Sequence, residues 1–312
     1  MNLSESKPNI IFMGTPEFSI PSLKAIYNKW GISAVVTVPD KPKGRGRKLQ
    51  ASPVKEFALE NNIKVLQPES LKNEEFIAQI KAINPDIICV IAFRILPEAV
   101  YSLSNIASYN IHGSLLPKYR GAAPINWAII NGETKTGLSS FILQKKVDTG
   151  ELLLKKEIDL KTGTTAGELH DKLMYIAADL SLETIDLLID NDYQTLEQDD
   201  KEASPAPKIF KNDCLIDWNK NAEILRNFIH GLSPYPAAWT TWNDKTLKIL
   251  RVKITENDIG KPGQYKIEND IFYIMTADYT LEIVELKIEG KRAMKTKDFL
   301  KGYRGDLSGI IG

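Results

Sequence analysis

Short apolar runs set the rhythm of the first two-thirds of the chain. Residues 9–13, 32–38 and 86–92 are dense in Ile, Val and Phe, and runs this apolar read as strands covered on both faces. Between them the apolar residues recur at helical spacing. Residues 18–29 carry Ile20, Leu23, Ala25 and Ile26 with Pro21 near the start, and residues 53–61 follow as a second helix. Residues 74–83 place Phe76, Ile77, Ile80 and Ile83 on one stripe. The β-α-β alternation predicts an α/β domain built on a parallel sheet, with residues 86–92, the most apolar run, at its centre. Residues 65–67 and 107–111 add strands, 124–130 a helix carrying Trp127, and 136–144 and 151–160 two further strands. A long amphipathic helix over 165–188 turns Leu169, Leu173, Ile176, Ala177, Leu180, Ile185 and Leu188 inward, leaving His170 exposed with no ligand role.

The pattern then changes. Residues 198–208 are polar and Pro-rich and read as an interdomain linker. After a helix over 222–232, five short strands recur at 237–242, 246–254, 263–267, 271–276 and 280–288, with Asn-Asp and Ala-Asp turns between them. That spacing predicts a small antiparallel barrel. The expected organisation is therefore a first domain over 1–197, a linker over 198–208 and a barrel over 209–312.

Composition narrows the classes. The formal net charge is zero over 312 residues, so any nucleic-acid contact comes from local patches. One lies at Lys41, Lys43, Arg45, Arg47 and Lys48, where residues 41–48 hold five bases and no acid in a Gly- and Pro-rich loop. The loop suits a phosphate or RNA, or it is a solvated turn. Residues 290–304 form a second basic stretch, Lys291, Arg292, Lys295, Lys297, Lys301 and Arg304 against Asp298 alone. Two distant cysteines and three scattered histidines offer no metal spacing, so no metal is expected. No apolar run is long enough to span a bilayer and the first eight residues are polar, which predicts a cytoplasmic protein with reduced thiols. No G-x-G-x-x-G follows a strand, which argues against a dinucleotide cofactor.

Candidate chemistry sits where the run at 107–111 ends. Asn110 and His112 are two apart in a strand and project to one face. An amide that donates to an oxygen and an imidazole that carries a proton are parts of an acyl-transfer site. Asp148, in a turn, is a carboxylate that either satisfies its own backbone or orients the His.

The run Asn110-Ile-His112-Gly-Ser-Leu-Leu-Pro117, continued by Arg120-Gly-Ala-Ala-Pro124, together with Asp148-Thr-Gly150, resembles the folate-dependent formyltransferases. Pro39-Asp-Lys-Pro42, Gly44-Arg-Gly-Arg-Lys-Leu49, Ser52-Pro-Val-Lys55 and Ser233-Pro-Tyr-Pro236 extend the similarity to nearly the whole chain. The resemblance implies a Rossmann-like, mostly parallel first domain and an OB-like second one. It implies 10-formyltetrahydrofolate as formyl donor, with Asn110, His112 and Asp148 catalytic and Ser114, Leu115, Leu116 and Pro117 lining the folate site. It further implies initiator methionyl-tRNA as acceptor, held in part by the 41–48 loop, and a monomer away from membranes. A sugar-nucleotide amine is the alternative acceptor within the same family. The chain departs from the family at Ala92-Phe93-Arg94, where relatives often carry Ala-Tyr-Gly, so Arg94 is expected to narrow the folate crevice or add charge to it. It departs again at Ser204-Pro-Ala-Pro-Lys208, where relatives commonly carry Tyr-Ala-Pro-Lys.

Overall fold

The apolar runs of the first half form parallel strands in the computed structural model, which describes residues 7–43, 48–191 and 193–311. In chain order they are β1 (Ile10–Gly14), α1 (Ile20–Lys29), β2 (Ala34–Val36), β3 (Lys41–Lys43), β4 (Lys48–Gln50), α2 (Pro53–Glu60) and β5 (Lys64–Leu66). Next come α3 (Glu74–Ile83), β6 (Ile87–Ile91), α4 (Glu98–Tyr101), β7 (Ala107–His112), β8 (Arg120–Gly121) and α5 (Pro124–Ile130). Then follow β9 (Lys135–Ile142), β10 (Leu152–Asp159), α6 (Ala166–Asp190) and β11 (Pro205–Ala206). Contacts group Met1–Gly121, Gly137–Ile158 and His170–Pro205 into one unit, and Ala122–Thr136, Asp159–Leu169 and Ala206–Gly312 into another.

The first unit holds a seven-stranded sheet in the order β10-β9-β7-β6-β1-β2-β5, with β6 in the middle as its uniformly buried run requires. β7, β6, β1, β2 and β5 are parallel, whereas β9 runs antiparallel to β7. The chain builds outward from β1 through β2 to β5, then returns to the other side of β1 as β6. Loops that diverge at such a reversal leave a crevice at the strands' carboxyl ends. Local signals set the helix ends. Ser52 Oγ accepts the Lys55 amide at 3.1 Å at the start of α2, and Asn73 Oδ1 accepts the Phe76 amide at 3.1 Å at the start of α3. Asn84, left-handed at φ 51°, closes α3. At the start of α6, Glu168 Oε2 accepts the Thr165 amide at 2.9 Å while Thr165 Oγ1 accepts that of Glu168 at 3.3 Å, a capping box.

Two segments differ from expectation. The basic loop begins and ends in strand: β3 and β4 pair antiparallel with Lys41 opposite Gln50 and Lys43 opposite Lys48. The reason lies at its base, where Lys55 Nζ meets Asp40 Oδ2 at 2.7 Å and the Thr37 and Ser52 hydroxyls lie 2.8 Å apart. Extended chains pinned together in this way pair. The segment read as a linker is tied down from its first residue. Leu196 exchanges backbone hydrogen bonds with Leu152 just before it, Gln198 is buried, and Ser204 Oγ accepts the Tyr119 amide at 2.9 Å. Its polar side chains serve backbone groups of neighbouring loops, which composition does not reveal.

The second unit is organised by α7 (Ala222–Leu232) and an antiparallel sheet. The strands are β12 (Ala238–Trp242), β13 (Lys245–Thr255), β14 (Gln264–Glu268), β15 (Ile271–Met275), β16 (Thr280–Ile288), β17 (Met294–Lys295) and, after α8 (Thr296–Lys301), β18 (Ser308–Ile310). Five were expected; β17 and β18 are two and three residues long, too short to show alternation. The order is β12-β13-β16-β15-β14-β18, with β17 on β16. A register shift between Ile249 and Val252 bulges β13, the irregularity that curls a sheet toward a half-barrel. Ala222, Leu225, Ile229 and Leu232 of α7 share its core with Trp242, Phe272 and Ile283. Helix α5 belongs to this unit: Asn126 Nδ2 donates to the Gly231 carbonyl at 2.7 Å, and a Cβ on Gly231 would lie 2.5 Å from Ile130 Cγ1.

Candidate active site

Strand β7 carries Asn110 and His112 out of the sheet on one face, as alternation demands. Val90 and Phe141 flank Asn110, and Ser139 lies opposite His112. Asn110 is half-buried, and among the described residues its side-chain amide forms no hydrogen bond. His112 is buried. Its Nε2 lies 2.7 Å from the Tyr119 carbonyl oxygen. A carbonyl only accepts, so Nε2 carries hydrogen, which leaves Nδ1 on the side of Asp148. Nδ1 faces Asp148 Oδ2 at 3.8 Å, an ion-pair separation rather than a hydrogen bond, with the side chains 7% and 10% exposed. The turn between β9 and β10 therefore brings Asp148 to His112.

That turn is tightly specified. Asp148 is left-handed at φ 54°, a conformation Asp adopts more readily than most residues. Its Oδ2 accepts the Gly121 amide at 2.9 Å, and its carbonyl accepts Gln198 Nε2 at 3.1 Å. Gly150 has no room for a side chain, because a Cβ there would lie 1.7 Å from the Ile142 carbonyl oxygen. An imidazole beside a carboxylate, with a free amide donor two residues away, can stabilise charge growing on an acyl oxygen and handle one proton.

The segment expected to line the folate site follows β7. Ser114 is buried and its hydroxyl donates to the Lys118 carbonyl at 2.6 Å, while Ser139 Oγ bridges the Ser114 carbonyl and the Leu116 amide at 2.8 and 3.0 Å. Leu116 is buried with Phe141 and Leu152, Pro117 is buried after a cis peptide bond, and Leu115 is half-buried. The segment is thus shaped by internal bonds, and its polar side chains are already committed. Arg94 does not project its charge freely beside β6: its Nη1 and Nη2 donate to the Glu69 and Pro68 carbonyls at 3.0 and 2.9 Å, fastening the loop after β5. Thr15 Oγ1 and Arg94 Nε, just past β1 and β6, are buried polar atoms with no partner among the described residues. Polar atoms left open at the switch point suit a polar ligand there.

Of the basic loop, Lys41 is exposed. The backbones of Lys43 and Lys48 are paired in β3 and β4, and Arg45 and Arg47 lie outside the described residues. Sequence reasoning missed Tyr119, Gly121 and Gln198, whose contributions are a carbonyl, an amide and a side chain inside the presumed linker. No residue pattern announces these. The described residues hold no cluster of three or more His, Cys, Asp or Glu able to ligate a metal, and no helix long and apolar enough to cross a membrane.

A mostly parallel sheet that carries an amide and an imidazole at one strand end, with a carboxylate brought to them by a turn, has the equipment of a group-transfer enzyme of the acyl type. The chain belongs to the formyl transferase family: residues 9–185 match the formyl transferase domain and residues 208–304 the formyl transferase C-terminal domain. It is 43% identical to the methionyl-tRNA formyltransferase of Clostridium novyi over 306 residues, covering 97% of this chain and 99% of the relative. It is 45% identical to that of Clostridium acetobutylicum over 306 residues, with the same coverage. A crystal structure of a sugar 3N-formyl transferase in the presence of dTDP and 5-N-formyl-THF shares the fold, with a TM-score of 0.66 at 22% identity over 92% of this chain and 99% of that one.

Proposed function

We propose that this protein transfers the formyl group of 10-formyltetrahydrofolate to the α-amino group of methionine on initiator methionyl-tRNA, for initiation of translation. One observation carries the reading. In a chain similar from end to end to methionyl-tRNA formyltransferases, Asn110 offers an uncommitted amide beside a His112–Asp148 pair. The folate supplies an activated formyl carbon when bound; the residues described above do the rest. Asn110 donates its N–H to the formyl oxygen as charge grows there, a contribution of about 2.7–4 kcal/mol for one aimed donor. His112, anchored through Nε2, takes the proton released by the attacking amine at Nδ1. Asp148 stabilises the imidazolium that results. As the new C–N bond forms and the bond to N10 breaks, the imidazolium passes its proton on to N10, so His112 returns to its starting state and the reaction is proton-neutral.

Ser114, Leu115, Leu116 and Pro117 contribute shape and backbone to the folate site. Residues 1–197 form the catalytic domain and 209–312 a tRNA-binding domain, joined at 198–208. Support for tRNA contact comes from Lys41 at the hairpin and from Lys291, Arg292, Lys295, Lys297, Lys301 and Arg304, all exposed. The enzyme works in the cytoplasm as a monomer. The test presents purified protein with 10-formyltetrahydrofolate and, separately, charged initiator tRNA, charged elongator tRNA and an amino-sugar nucleotide. Formylation of the initiator alone is expected; formylation of the sugar nucleotide in its place overturns the reading.

A further inference from the structure

Asp148 is the one member of the proposed catalytic set that stands on a turn, so something must hold that turn. The register of the neighbouring segment shows what does. Leu196 and Leu152 exchange backbone hydrogen bonds at 2.8 and 3.0 Å as an antiparallel bridge. Two residues on from Leu196 is Gln198, and two before Leu152 is Gly150, so the bridge sets Gln198 against the catalytic turn. There its Nε2 donates to the Gly150 carbonyl at 2.7 Å and to the Asp148 carbonyl at 3.1 Å. Its Oε1 accepts Arg120 Nε and Nη2 at 3.1 and 2.9 Å, and the remaining arm of the guanidinium reaches Asp200 Oδ1 at 2.6 Å. The next residue, Gly121, gives its amide to the Asp148 carboxylate at 2.9 Å.

We propose that Gln198 is a positioning residue for the formyl-transfer reaction: its amide clamps the Asp148–Gly150 turn from behind, with Arg120 fixing which way the amide points. The inference rests on the catalytic reading of Asp148 given above. Two features make the clamp directional. Arg120 has only donors, so the atom facing it must be the amide oxygen, which leaves the NH2 group for the two carbonyls. Gln198 is 8% exposed, so water does not readily replace either bond. Arg120, part of the signature run, is by this account engaged with Gln198 and Asp200 rather than with substrate.

Gln198→Glu separates the halves of the clamp. The carboxylate keeps an acceptor for Arg120 but has no donor for the Asp148 and Gly150 carbonyls. A merely structural anchor would show the change in Tm and leave kcat of the folded enzyme unmoved. As a positioning residue it is expected to lower kcat by about 10- to 100-fold, the scale of a misplaced catalytic group, with KM for folate and tRNA held within about twofold. Gln198→Ala should behave alike, with Tm recorded for both variants. In an Asp148→Asn background Gln198→Glu should cost little more, because the group it positions is already disabled. Gln198→Glu at wild-type kcat, or a loss that adds in full to that of Asp148→Asn, overturns the inference. Asp148→Asn at wild-type kcat instead overturns the reading beneath it.

Discussion

His112 is held through one nitrogen, and the other faces Asp148. The Tyr119 carbonyl occupies Nε2 at 2.7 Å, which fixes the ring's orientation and leaves Nδ1 on the Asp148 side. Asn110 differs: its amide has no partner among the described residues, so removing it leaves no buried group unsatisfied. Asn110→Ala is therefore expected to fold with an unchanged Tm while kcat falls by about 10²- to 10³-fold. His112→Ala loses about 10²- to 10⁴-fold and some stability as well, because the Tyr119 carbonyl loses its donor. Steady-state formylation with KM for each substrate, alongside thermal melts, checks both; a wild-type kcat in either variant removes that residue's role. Spacing made Asn110 and His112 legible, since period two is a local property. That His112 is bound to Tyr119 and Asp148 to Gly121 was not legible, because main-chain partners leave no mark on residue type.

Among elements, the pairing of β3 with β4 is set from its base. Asp40 at its base is held below the usual carboxylate range by hydrogen bonds from Lys55 first and Gln67 second. A carboxyl with a lowered value keeps its clasp at and above its ordinary value of 3.8 and loses it only as pH falls through the lowered one. The hairpin base thus stays closed throughout the neutral range. Lys55→Ala opens it without touching the β7 site. KM for tRNA should rise by up to about fivefold, the scale of one ion pair near the surface, with KM for folate unchanged. An equal rise in both would show that the hairpin is not specific to tRNA. The strands and helices themselves were largely predictable: residues 74–83, 124–130 and 222–232 are helical over the spans that periodicity marks. What periodicity could not supply was the pairing of β3 with β4, set by Asp40, Lys55, Thr37 and Ser52 at the base of the loop.

At the scale of the whole molecule, His230 gives the second unit an acid-sensitive group of its own. His230 on α7 accepts the Val252 amide at 3.1 Å through Nε2, and its Nδ1 has no partner among the described residues. Burial, then the charges of Arg251 and Arg226, push it from its ordinary 6.5 down to about 4. The unfolded chain binds a proton in that window and the folded unit does not, so stability is full above pH 6.5 and falls as pH drops toward 4. The expected slope is about 1.4 kcal/mol per pH unit. Denaturant unfolding followed by tryptophan emission reads this unit well, since Trp127, Trp218, Trp239 and Trp242 lie in it and only Trp30 lies outside. His230→Gln should flatten the slope; an unchanged slope would place the acid sensitivity elsewhere.

The sequence by itself determined the order and kind of the elements, the sheet's central strand, the face shared by Asn110 and His112, and the family. These follow from periodicity, turn chemistry and signature residues, all carried by near neighbours along the chain. Only the tertiary structure decided that Asp148 meets His112, that Arg94 serves a neighbouring loop, and that Gln198 bonds to the turn that carries Asp148. Those outcomes depend on donors and acceptors far apart in sequence finding one another. A buried polar group must be paired, but nothing in its own residue type says with what.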